Sequence, residues 1–157
     1  MNSSTHEPEN YSCPFCKLIN GEEDKINKRI FVVYEDKNTL AYIAPKWWIN
    51  NPGNVLVVPK LHTENIYTIP DEILSDVYKT VKKIAIAIKE TYPSDGISTR
   101  QHNEPAGNQD VWHLHVHVFP RYKDDELYLN HKQQRWVTDE ERLPYAKKLQ
   151  EYFKTKK

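Results

Sequence analysis

The stretch Trp112-His113-Leu114-His115-Val116-His117-Val118-Phe119-Pro120 decides how this chain is read. Histidine and apolar residues alternate with the two-residue period of a strand. Leu114, Val116 and Val118 are therefore expected to enter the core, while His113, His115 and His117 share the opposite, open face. Neighbouring imidazoles on that face lie about 6–7 Å apart, twice the rise per residue. A single histidine here reads as a polar residue on a solvated face. Three of the chain's seven histidines within five residues, all facing one way, read as a site. A histidine tract also suits metal, but the strict apolar alternation marks a sheet position. A neutral imidazole can attack phosphorus to give a phosphoramidate that water later resolves, and a partner at its other ring nitrogen sets the tautomer.

Outward from that stretch, residues 30–34, 40–43, 55–58 and 97–103 read as further strands, the first two as a hairpin across a turn-prone 35–38. Ile73, Leu74, Val77, Tyr78, Val81, Ile84, Ala85 and Ile88 recur at helical spacing between Pro70 and Pro93. A last amphipathic stretch carries Leu149, Tyr152 and Phe153. Thr138 and Glu141 resemble its capping box, and Pro144 suggests a kink or a late start. Consecutive strands around one long helix, without βαβ alternation, predict an α+β domain with a mainly antiparallel sheet. Residues 45–54 read as a loop with Trp47 and Trp48.

At 157 residues the chain suits one compact domain. Lys plus Arg and Asp plus Glu number 22 each, so no net charge draws it to nucleic acid or to an anionic membrane. Residues 1–11 lack hydrophobic periodicity and read as a disordered tail without assigned function. The absence of an apolar leader or a span of about 20 apolar residues predicts a soluble, cytoplasmic protein. Cys13 and Cys16, the only cysteines, are spaced for a metal or for redox chemistry. A glutaredoxin-like motif would follow a first strand, whereas a polar tail precedes this pair.

The sequence resembles the histidine triad family of nucleotide hydrolases and transferases. The resemblance rests on His113-Leu-His115-Val-His117-Val-Phe-Pro-Arg121, on Ala106-Gly107-Asn108-Gln109-Asp110-Val111 before it, on Asn51-Pro52-Gly53-Asn54-Val55-Leu56-Val57-Val58-Pro59-Lys60, and on the opening Cys13-Pro14-Phe15-Cys16. It covers residues 12–122 and leaves 123–157 as a C-terminal extension whose helix packs on the domain. It implies a half-barrel of five strands with one long helix, and a homodimer formed by continuing the sheet.

By the same resemblance, His115 is the nucleophile that forms a nucleotidyl-histidine intermediate at an α-phosphate. His117 contacts the phosphate and leaving-group side, while Gln109 and Asn103 help hold the phosphates. The implied substrates are a purine nucleoside phosphoramidate or a dinucleoside polyphosphate. Zinc-containing members complete a structural site with positions matching Cys13, Cys16, His62 and His113. Three positions depart from the pattern. Ala44 stands where an acidic residue holds the ribose, so that Asn50 or Asn51 and stacking on Trp47 or Trp48 become candidate replacements. Asp110 stands where Ser or Thr contacts the reacting group, and Asn54 replaces a histidine. Ala44 and Asp110 together keep a second reading in play, a nucleotide- or partner-binding module with little turnover.

Overall fold

The computed structural model describes residues 5–156, so the first four residues of the expected tail lie outside the described residues. The elements run α1 (Pro14–Ile19), β1 (Val32–Glu35), β2 (Thr39–Ile43), β3 (Lys46–Trp48), β4 (Val55–Pro59), α2 (Asp71–Thr91), β5 (Gly96–Gln101), β6 (Val116–Arg121), β7 (Gln134–Trp136) and α3 (Asp139–Thr155). Five strands make one antiparallel sheet in the order β1-β2-β4-β6-β5. With α2 and α3 packed on it, this is the α+β architecture expected.

Helix α2 buries Val77, Val81, Ile84 and Ile88, one stripe at three- and four-residue spacing. Asp71 and Glu72 occupy its first turn, where they complement the helix dipole. The stripe packs on β2, β4 and β6, and the other face of those strands is left to the site. Both central strands β2 and β4 are accordingly buried at every position.

Thr138 caps α3 with Glu141 in a reciprocal box. The helix begins at Asp139, so the late start does not occur, and Pro144 lies within it, where its ring removes the donor for the carbonyl of the exposed Glu140. Gly53, at φ +84°, passes so close to α3 that a Cβ would meet Tyr145 Cδ1 at 2.4 Å.

Two local expectations are corrected. The histidine stretch is a strand only from Val116. Before it, Leu114 N–H donates to the Thr63 carbonyl at 2.7 Å, which draws the chain away from the sheet. The tryptophan loop carries a strand, β3, which pairs with β7 through Trp47↔Arg135. Across the main sheet, Tyr42 pairs with Leu56, Leu56 with His117, and His117 with Arg100. These four side chains form one row on a single face and line the same cavity.

Candidate active site and metal centre

The cavity holds about 470 Å³ between the sheet face, α1 and the β3–β7 ribbon. His115, only 3% exposed, lies at its wall with Phe15 edge-on at 5.2 Å between centroids. Its Nδ1 is 2.8 Å from the His113 carbonyl oxygen. A carbonyl can only accept, so Nδ1 carries the proton and Nε2 keeps its lone pair.

The His117 ring lies 5.2 Å from that of His115 and stacks on Phe119 at 5.4 Å. As the Asn54 amide is oriented, its Nδ2 donates to His117 Nδ1 at 3.3 Å, leaving the proton of the neutral ring on Nε2. The two rings are thus set up oppositely, His115 presenting a lone pair at Nε2 and His117 an N–H that can donate a hydrogen bond. Burial holds His115 below the ordinary 6.5. It holds His117 well below, with help from His115, His102 and Arg100. Both are neutral at pH 7.

Cys13, Cys16, His62 and His113 offer donor atoms that all lie within 4.8 Å of one another. His113 Nδ1 is 3.3 Å from Cys13 Sγ and 3.6 Å from Cys16 Sγ; His62 Nδ1 is 3.2 Å from Cys16 Sγ and 3.1 Å from His113 Nδ1. Ligand bonds of about 2.0–2.3 Å in a tetrahedron give edges of roughly 3.3–3.8 Å, close to these separations. Each histidine's other nitrogen already has an acceptor: His113 Nε2 donates to the Pro59 carbonyl at 2.9 Å and His62 Nε2 to Glu7 Oε1 at 2.5 Å. Both Nδ1 lone pairs therefore face the centre of the cluster. Burial and the adjacent Cys13 push the Cys16 thiol up to about 12, so a bound cation would be what holds this sulfur as a thiolate. The four residues fit a metal ion.

Of the other residues singled out from sequence, Asp110 lines the cavity with Oδ1 3.9 Å from His115 Nε2. Four residues expected to bind substrate are engaged elsewhere. Trp47 is buried in the core, its indole N–H on the Ala44 carbonyl and its ring edge-on to Tyr145, because alternation along β3 turns Trp48 to the cavity instead. Asn51 is fully buried and donates to the Pro120 carbonyl and to Asp125. Gln109 donates to the Glu64 and Val111 carbonyls and accepts from Glu104 N–H. Asn103 accepts from Ile66 N–H. Gln109 and Asn103 thereby hold the loop around the site and leave the lining to Asn108, in the left-handed conformation at φ +68°, and to Asp110.

Sequence reasoning missed three participants. Arg100 and His102 line the cavity, and neither carries a local motif. Glu7 belongs to the segment read as a functionless tail. Its neighbour Thr5 donates to Glu64, and His6 stacks on Trp112 at 5.5 Å.

Comparison with known proteins identifies related sequences and structures. A model of the HIT domain matches residues 25–124, more than half of the chain. The chain is 37% identical over 111 residues to "Protein hit" of Bacillus subtilis, covering 71% of this chain and 72% of that protein. It is 32% identical over 118 residues to adenosine 5'-monophosphoramidase of Candida albicans, covering 73% of this chain and 72% of that protein. A zinc-bound histidine triad family protein from Mycobacterium smegmatis superposes with a TM-score of 0.74 at 27% identity, covering 93% of this chain and 98% of that one. With its family model, its relatives and its fold in agreement, this chain belongs to the HIT domain family.

Proposed function

We propose that the protein is a nucleotidyl hydrolase that cleaves at an α-phosphate through a nucleotidyl-histidine intermediate. The observation that carries this reading is the 2.8 Å contact between His115 Nδ1 and the His113 carbonyl, which leaves Nε2 unprotonated toward the cavity. Nε2 forms a bond to phosphorus and the bond to the leaving group breaks, its electron pair going with that group. His117 Nε2–H donates a hydrogen bond to the reacting phosphate or the leaving atom, and a departing amine takes its proton from water. Water then displaces His115 to release a nucleoside monophosphate. Tyr42, Leu56 and Ala44 give the cavity an apolar end suited to a nucleoside, with purine the expected base. Gln109 serves by holding the phosphate loop.

Zinc is the ion proposed for Cys13, Cys16, His62 and His113, in a closed structural role, since all four positions are taken by protein. It would tie residues 13–16 to the start of the histidine stretch. No helix among the described residues is long and apolar enough to cross a membrane; a cytoplasmic homodimer without nucleic-acid partners is the expected setting. The proximity of Asp110 to His115 supports a second reading, nucleotide binding with little turnover, because a carboxylate opposes an incoming phosphate.

Incubation with adenosine 5'-phosphoramidate separates the two. The parent should release AMP and His115→Ala should not. Turnover that survives the substitution, or tight AMP binding by an inert parent, would remove the catalytic claim. Native mass spectrometry should find one zinc per chain.

A further inference from the structure

We propose that Arg100 is a specificity-determining residue that receives the charge of an anionic leaving group, so that the preferred substrates are nucleoside polyphosphates whose α-phosphate is cleaved from a further phosphate. This inference rests on the reaction proposed above and selects among its substrates.

The row Tyr42–Leu56–His117–Arg100 runs across four adjacent strands, about 14 Å at the usual strand spacing. Its character changes along that line, from an aromatic and an aliphatic side chain, through an imidazole, to a guanidinium. A nucleoside at the Tyr42 end and a phosphate at the histidines leave Arg100 facing whatever is attached beyond the α-phosphorus.

Arg100 is held for that task by ring contacts alone. Its guanidinium carbon lies 5.7 Å from the Trp48 centroid, 5.2 Å from Phe119 and 4.8 Å from Tyr128. Stacking occupies the faces of the guanidinium and leaves its N–H edges for an acceptor. Among the described residues none accepts from it, and no carboxylate pairs with it. The contrast with Arg121 is direct, since Arg121 also approaches Tyr128 but is clamped by both oxygens of Asp125 and donates to Ser98. Lys46 of β3, which also lines the cavity, lies over the ring of Trp136 on β7.

The group transfer balances as follows. His115 Nε2 bonds to the α-phosphorus, the bond from that phosphorus to the bridging oxygen breaks, and its electron pair stays on that oxygen. For diadenosine triphosphate the departing group is ADP, with its new negative charge beside Arg100. A phosphoramidate instead loses ammonia, which needs a proton and gains nothing from a fixed cation.

The test compares kcat/KM for diadenosine triphosphate and for adenosine 5'-phosphoramidate in the parent, R100K and R100Q. The ratio of the first to the second should fall about 10–100-fold in R100Q, as expected for a lost charge-assisted hydrogen bond, and by less in R100K. A structural role would lower both rates together and leave the ratio unchanged, which would overturn the assignment. A second arm does not depend on turnover: in a His115→Ala background, calorimetry should show tighter binding of ADP than of AMP, and R100Q should abolish the difference. A preference that persists in R100Q also overturns the assignment. An Arg100-dependent preference in a parent that turns over neither substrate would remove the proposed reaction and keep this site.

Discussion

His113 serves its two neighbours by different atoms: its carbonyl oxygen accepts from His115 Nδ1 at 2.8 Å, while its own Nδ1 lies 3.3 Å from Cys13 Sγ. The residue that sets the tautomer of His115, the proposed nucleophile, is thereby also one wall of the Cys/His cluster proposed to hold zinc. Stripping the ion with a chelator should loosen both at once. At a metal concentration 100-fold above Kd, binding contributes about 2.7 kcal/mol, so the metal-free protein should melt roughly 5–11 °C lower. Its kcat should fall tenfold or more and return on adding zinc. An unchanged kcat in protein shown by mass spectrometry to be metal-free would break the link between cluster and nucleophile.

The contact of Glu7 with His62 Nε2 makes the segment before α1 part of the proposed zinc site. A carboxylate behind a ligating imidazole strengthens the ligand and orients its ring. Glu7→Gln keeps the size and removes the charge, and competition with a chromophoric chelator should show metal affinity reduced by about 10–100-fold. Equal affinity in the two proteins would return this segment to the status of a tail.

Local periodicity made the long helix, the α3 capping box and the core strands readable, because each depends on residues within a few positions of one another. The cavity depends on register. Nothing near Arg100 in the chain marks it, and only the β5–β6 pairing sets it beside His117. The choice between Trp47 and Trp48 likewise needed β7, a polar segment nearly 90 residues away whose pairing defines which face of β3 turns inward. Gln109 has the residue type expected at a phosphate site, yet its amide is committed to the Glu64 and Val111 carbonyls. The metal quartet was accessible through the family pattern, whereas its outer partner Glu7 was not.

His117 fixes the sign of a pH effect. Enclosure by protein holds its folded-state value well below 6.5, so under pH 6.5 the unfolded chain takes up a proton that the folded one refuses. Its contribution to stability is therefore intact above about pH 6.5 and is lost as the pH falls from there toward the folded value. Urea midpoints should drop between pH 6.5 and 5, and less so in His117→Asn, which lacks the titrating ring. In the parent, the acid limb of kcat/KM should lie below pH 6.5. A limb at or above 6.5 would mean that the ring titrates as if exposed.

Asp110 stands close enough to His115 to act on any bound phosphate. Two unit charges about 4 Å apart in a water-like dielectric interact by roughly 1 kcal/mol, which suits a side chain that is 70% exposed. Asp110→Asn should therefore bind AMP about fivefold more tightly at low salt, with the gain shrinking in 1 M salt. Weaker binding in that variant would show that the carboxylate contacts the nucleotide favourably.

Arg142 tests how the C-terminal helix supports the rim of the cavity. The residue is 1% exposed, its guanidinium carbon 3.6 Å from the Phe31 ring centroid, and it donates to the carbonyls of Ile26 at 2.7 Å and Ile43 at 2.5 Å. Burial lowers it to about 10, so it is still charged at pH 7. No carboxylate bonds to it among the described residues, and its charge is balanced by two carbonyl dipoles and a ring face. Arg142→Ala removes the donors, strands both carbonyls and opens a void beneath α3. Those losses should cost about 3 kcal/mol or more, a fall in Tm of roughly 6–12 °C. Ile26 lines the cavity, so KM for the nucleotide should rise as well. Arg142→Lys keeps the charge but lacks the fork that spans two acceptors, and should fall between the two. Removing a buried cation also relieves a desolvation penalty, and a well-packed apolar replacement is sometimes neutral for that reason. Arg142→Met makes the decision: equal stability with unchanged KM would show that Arg142 merely fills space, whereas equal stability with a raised KM would assign it to the rim.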